Sequence, residues 1–219
     1  MQRWEQLAAV PSPGGSLALW RRGDEFRIRI GGLDLMGSRE HGSEDELGRL
    51  GCAGLPPTAR VLVGGLGLGF TLGSALANLG PGAAVEVAEA NPVVLEWNRT
   101  LLGHLAGQPL ADPRVTVFVG DVARRIRGAR WDAILLDVDN GPEALSSPDN
   151  AGLYDATGLW TAAAALRPGG RLGVWSVRDD AAFTRRLHAA GFAATVSRVS
   201  AWPGSGRKHW LWMASRPPG

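Results

Sequence analysis

Arg60-Val61-Leu62-Val63-Gly64-Gly65-Leu66-Gly67-Leu68-Gly69-Phe70 is the stretch that decides how this chain folds. An apolar run, Val61-Leu62-Val63, enters a glycine-rich turn, and a helix-length segment opens at Phe70. Glycines at such a turn let the backbone bend sharply and approach a ligand with no Cβ between. The helix start offers free N–H groups and a positive dipole end. The spacing is G-x-G-x-G over Gly65, Gly67 and Gly69; Phe70 stands where a dinucleotide fingerprint takes its third Gly or Ala. No Gly-Lys-Ser/Thr follows, which excludes a P-loop. The alternative is a plain strand–helix turn in a chain with 31 glycines.

Outward from that turn, short apolar runs alternate with helix-length segments. Strands are predicted over 60–64, 84–88, 114–119, 132–137 and 171–176, and helices over 70–79, 92–106, 122–127, 154–166 and 180–190. This βαβα order predicts an α/β fold, a Rossmann-like, mostly parallel, doubly wound sheet covered on both faces. Segments 192–200 and 207–215, joined by Pro203-Gly204-Ser205-Gly206, read as a C-terminal antiparallel hairpin. Before the core, Phe26-Arg27-Ile28-Arg29-Ile30 alternates, and 17–36 reads as a β-hairpin with a short third strand. Ser43 and Glu46 have the spacing of a capping box, and Pro56-Pro57 closes this piece. The expected division is a small N-terminal β appendage, 1–57, and a ligand-binding domain, 58–219.

Acidic residues fall at successive strand ends. Val85-Glu86-Val87-Ala88-Glu89 places Glu89 about 20 residues beyond the glycines, where a carboxylate meets a ribose diol. Asn91-Pro92 then supplies an N-cap and first-turn proline; Glu89 alternatively serves only that helix start. Asp121 either contacts an adenine amino group or caps the helix after it. The fourth strand runs into Asp137-Val138-Asp139-Asn140-Gly141-Pro142. Ligands of open parallel sheets bind at the carboxyl ends of the strands, so Glu89, Asp121, Asp137 and Asp139 are expected at one rim beside the glycine turn. Such a rim suits a cationic sulfonium donor and a cationic amine acceptor, with Asp137 and Asp139 taking the amine proton.

Composition removes other classes. The chain has 219 residues, 45% hydrophobic and 20% charged, enough for one sizeable core. Net charge is +2, from 23 basic and 21 acidic residues, which gives no global field for nucleic acid or anionic membrane. Arg124, Arg125, Arg127 and Arg130 cluster, but no aromatic platform interleaves them and a solvated face is the simpler reading. Cys52 is the single cysteine, and His41, His104, His188 and His209 do not pair at metal spacing, so no metal site is expected. The start, Met1-Gln2-Arg3-Trp4-Glu5, lacks a signal-peptide apolar region, and no run is long enough to span a bilayer. A cytoplasmic location without membrane partners is the expectation.

Val61 to Gly69, Val87-Ala88-Glu89, the Asp137–Pro142 loop, Leu166-Arg167-Pro168-Gly169-Gly170 and Trp202-Pro203-Gly204 to Trp212 together resemble the class I S-adenosylmethionine-dependent methyltransferase fold. Within it they resemble the spermidine-synthase-like branch of polyamine aminopropyltransferases, as does Gly37 followed by Asp45-Glu46. The resemblance implies that Gly65, Gly67, Gly69, Glu89 and Asp121 hold the adenosyl donor, and that Asp137 is the proton-accepting carboxylate. It puts Glu40 and Asn140 on the acceptor side; His41, in the loop before the cap, and Glu143, after Gly141, are further acceptor-side candidates that also read as surface residues. It suggests a homodimer. The chain departs from the family at Leu68, where an acid holds the donor's amine, at Arg49, where a Tyr stands, at Glu40, where a Gln stands, and at Asp139 or Asn140, where the second loop Asp is expected. These departures put methyl transfer from S-adenosylmethionine to a small nucleophile such as an amine first. Aminopropyl transfer from decarboxylated S-adenosylmethionine, with a polyamine product, comes second, and a non-catalytic adenosyl-binding protein third.

Overall fold

The computed structural model describes residues 2–12, 15–127, 130–138, 142, 150–202 and 204–218. The chain divides into two compact units, Met1–His41 and Gly42–Gly219.

In the first unit, β1 (Glu5–Ser12), β2 (Gly15–Arg22), β3 (Glu25–Ile30) and β4 (Leu33–Gly37) form an antiparallel sheet in chain order. Alternation in β2 and β3 puts Leu17, Leu19, Phe26 and Ile28 on a buried face. Glu25 is buried among arginines, 2.7 Å from Arg22 and 3.1 Å from Arg27. Trp4 lies under the guanidinium groups of Arg22, Arg27 and Arg29. The sequence reading omits β1. Its run, Glu5-Gln6-Leu7-Ala8-Ala9-Val10-Pro11-Ser12, does not alternate cleanly, and a bulge between Gln6 and Ala8 shifts its register.

The second unit opens with α1 (Gly42–Cys52) and then follows the predicted alternation: β5 (Arg60–Gly64), α2 (Phe70–Ala77), β6 (Ala84–Glu89), α3 (Pro92–Trp97), β7 (Val115–Val119), α4 (Val122–Ile126), β8 (Trp131–Leu136), α5 (Ala151–Tyr154), α6 (Ala156–Ala165), β9 (Leu166–Ser176), α7 (Ala181–Ala189), β10 (Ala193–Ser200) and β11 (Lys208–Ser215). The sheet order is β10-β11-β9-β8-β5-β6-β7. Strands β5 to β9 pair in parallel, and β11 is antiparallel to both β9 and β10. Chain direction across the sheet reverses between β5 and β8, the switch point at which open α/β sheets leave a crevice. Every residue of β8 is buried, as expected of a strand covered on both faces.

Three local expectations are corrected. Ser43 and Glu46 form no capping box; Ser43 lies inside α1, and Trp175 and His209 engage its hydroxyl. The helix expected over 92–106 widens at Asn98, whose Nδ2 also binds the Val94 carbonyl, and then tightens from Gly103. The helix expected over 154–166 breaks at Asp155, whose side chain caps α6 by accepting from Gly158 N–H at 2.8 Å.

The packing of α1 on α2 brings the site together. A Cβ at Gly48 would stand 2.7 Å from Ala75 N and from Thr71 O, so only glycine admits this approach. One helical turn earlier on each helix, Glu44 and Thr71 become neighbours: Thr71 Oγ1 lies 3.5 Å from the Glu44 carbonyl.

Candidate functional site

The glycine turn leaves β5 with φ of 85° at Gly65, 52° at Gly67 and 90° at Gly69, all in the left-handed region that favours glycine. Gly65 is also pinned from both sides. Its N–H donates to Ala88 O at 2.9 Å, and a Cβ on it would stand 2.2 Å from Asp137 O. The loop backbone thus runs directly against the end of β8. Behind it, buried Asn98 donates from Nδ2 to Gly67 O at 2.8 Å. Flanked by Glu96, Arg99 and Thr100, Asn98 carries no local signal of this role.

Glu89 ends β6 and holds the loop. Its Oε2 accepts from Leu66 N–H at 2.9 Å and its Oε1 from Asn91 N–H at 2.8 Å. Loss of water raises the Glu89 pKa, against the opposing pull of the backbone N–H groups of Asn91, Leu66, Gly67 and Ala90.

Asp137 follows β8, its N–H donating to Gly64 O at 2.9 Å. Its Oδ2 accepts from Thr71 Oγ1 at 2.7 Å, in the first turn of α2. Burial pushes its carboxyl up to about 6, although the Thr71 bond lowers it. A second carboxyl faces it from α1. Glu44 is pushed up to about 8, first by burial and next by the charge of Asp137, with the Ser43 hydroxyl acting in the opposite direction. Among the described residues neither acid forms an ion pair. Two desolvated carboxyls without a fixed cation favour a shared proton or an incoming positive charge. The sequence reading missed Glu44 and Thr71, because nothing local in either segment signals a pairing of elements so distant in the chain.

The remaining expected residues distribute as follows. Asp121 is exposed at the end of β7, and its Oδ1 caps α4 by accepting from Ala123 N–H at 2.8 Å, so the capping half of that reading holds. Asp139, Asn140 and Glu143 lie outside the described residues. Glu40 and His41 end the first unit. Leu68 is buried with 4% exposure, an apolar contact inside the loop. Arg49 is exposed and pairs with Glu46 at 2.6 Å.

No family model matches the chain. Among curated proteins it is similar to the polyamine aminopropyltransferase of Mycobacterium tuberculosis, 31% identical over 195 residues that cover 84% of this chain and 36% of the relative. That of Corynebacterium efficiens is 31% identical over 169 residues, 73% of this chain and 30% of the relative. The chain thus spans about a third of the length of the curated relatives it matches. Among solved structures, spermidine synthase from Thermotoga maritima superposes with a TM-score of 0.77 at 18% identity, covering 98% of this chain and 74% of that one. Human methyltransferase-like protein 13 in complex with SAH superposes with a TM-score of 0.59 at 22% identity, covering 82% and 83%.

Proposed function

We propose, from the premise that this chain has the spermidine-synthase-like fold within the S-adenosylmethionine-dependent methyltransferase superfamily and is a distant homologue of polyamine aminopropyltransferases, that it transfers an aminopropyl group from decarboxylated S-adenosylmethionine to an amine. The observation that carries this reading is the half-buried Asp137 carboxyl, hydrogen-bonded by Thr71 and set against Gly65 at the switch point of the sheet.

The residues present fit the donor. Gly65 and Gly67 would let backbone approach it, the Glu89 carboxylate would accept from its ribose hydroxyls, and Asp121 would accept from its adenine amino group. When bound, the donor supplies a carbon activated by positively charged sulfur. The chain's own part is to align an acceptor and remove its proton. Asp137 takes one proton from the arriving ammonium group and frees the nitrogen lone pair. A positioned base of this kind contributes about 10²–10⁴-fold, and alignment contributes the larger share.

The sequence reading ranks methyl transfer first, and the curated relatives weigh towards its alternative. One observation still favours methyl transfer: buried Leu68 occupies the loop position where the family's acid holds the donor's amine. Calorimetric titration with S-adenosylmethionine and with its decarboxylated form separates the two. Tighter binding of the decarboxylated donor is expected. Preference for the carboxylated donor would move the reading to methyl transfer, and binding of neither would leave the glycine turn as a structural feature only.

A further inference from the structure

Ser43 stands at a junction that hydrogen-bond counting resolves. It is fully buried, and three partners meet its hydroxyl: Trp175 Nε1 at 2.9 Å, His209 Nδ1 at 2.7 Å and Glu44 Oε2. A hydroxyl has one proton and two lone pairs. The indole N–H only donates, so it occupies one lone pair. Of His209 and Glu44, therefore, one donates to Ser43 and the other accepts from it.

His209 carries a single ring proton near neutral pH, because burial, reinforced by the charge of Arg207, pushes its imidazole down to about 4. Two arrangements remain. With Glu44 protonated, Glu44 donates to Ser43, Ser43 donates to a bare Nδ1, and the ring proton sits on Nε2. With Glu44 ionised, Nδ1–H donates to Ser43 and Ser43 donates to the carboxylate. His209 Nε2 is buried with no hydrogen-bond partner among the described residues. Among the described residues no partner on the far side of the ring pins the tautomer, so the Ser43 hydroxyl sets it.

We propose that Glu44 is a positioning residue of the Asp137 site and that its proton is coupled, through Ser43, to the tautomer of His209. The charged groups facing Glu44 are Asp137 after β8 and Asp45 on its own helix; the one facing His209 is Arg207. Arg171 of β9 binds the Leu50 and Ala53 carbonyls at the other end of α1, and Lys208 donates to Ser200. Arg198 of β10 stacks on Trp210.

A cationic amine beside Asp137 favours the ionised pair. The Glu44 proton then passes to Ser43, the Ser43 proton passes to Nδ1, and the Nε2 proton leaves to water, so one proton is released and no other bond changes. This extension to the amine rests on the proposed function; the coupling itself does not, and its test uses no ligand.

The test is long-range ¹H–¹⁵N NMR of His209 in the ligand-free protein from about pH 5 to about pH 9. The ring proton is expected on Nε2 at the acid end and on Nδ1 at the alkaline end. In Asp137→Asn the change should fall at lower pH, by about one unit or more, because a neighbouring negative charge is gone. In Glu44→Gln no proton titrates beside Ser43, and His209 should keep one tautomer throughout. One unchanged tautomer in the wild-type protein overturns the proposal, as does a transition that survives Glu44→Gln at the same pH. If Glu44→Gln does not fold, the direction of the Asp137→Asn shift decides.

Discussion

Glu89 has two tasks at the level of a single side chain: it fixes the loop through Leu66 and Asn91, and in the proposed reading it also takes the ribose. Glu89→Ala is expected to abolish detectable donor binding in titration. It leaves two N–H groups without their acceptor, which costs about 1–3 kcal/mol by urea unfolding, with the fold retained by circular dichroism. Unchanged affinity would remove Glu89 from the site. The sequence exposed this residue because its signal is local, an acid closing an apolar run at a set distance from the glycines. Glu44 is the opposite case. It sits in Ser43-Glu44-Asp45-Glu46, where an acid at a helix start has an ordinary electrostatic explanation. Its pairing with Asp137 exists only after α1 has packed beside β8.

Helices and strands of the second unit were legible because short continuous apolar runs alternate with helix-length segments and the turns between them are rich in Gly, Pro and Asn. What was not legible is where tertiary contact overrides a run: the broken helix at Asp155, the widened turn at Asn98, and β1, none of whose residues is fully buried and which carries little periodic signal. The α1–α2 contact also belongs to this scale. Gly48→Ala inserts a methyl group 2.7 Å from backbone atoms of α2. It should destabilise the protein by about 1–3 kcal/mol, lowering the melting temperature by about 2–4 °C for each kcal/mol. A melting temperature equal to that of the parent would mean that the helices part without cost. The same substitution should shift the pH at which His209 changes tautomer, since it moves Glu44 relative to Asp137.

For the whole molecule, buried ionisable groups set how stability follows pH. Glu44, Glu89 and Asp137 are raised by burial, so the native chain retains protons that the unfolded chain loses, and their contribution falls as pH rises above the usual carboxylate range. His209 acts the other way between about 4 and 6.5, where the unfolded chain binds a proton that the native chain refuses. The trends offset each other below 6.5; above it the carboxyl trend stands alone and ends near the Glu44 value of about 8. The urea midpoint should therefore drop between pH 6.5 and 8, and Glu44→Gln should flatten that drop. A midpoint that rises over this interval would contradict the placement of these acids. The reversal of strand order at β5 and β8 has a further effect during synthesis. The glycine loop and Glu89 leave the ribosome well before Asp137, and β11 with His209 follows later still. A chain stalled or cut before β11 would keep the loop but lose the imidazole that completes the Ser43 junction, so the junction matures only once β11 has joined the sheet.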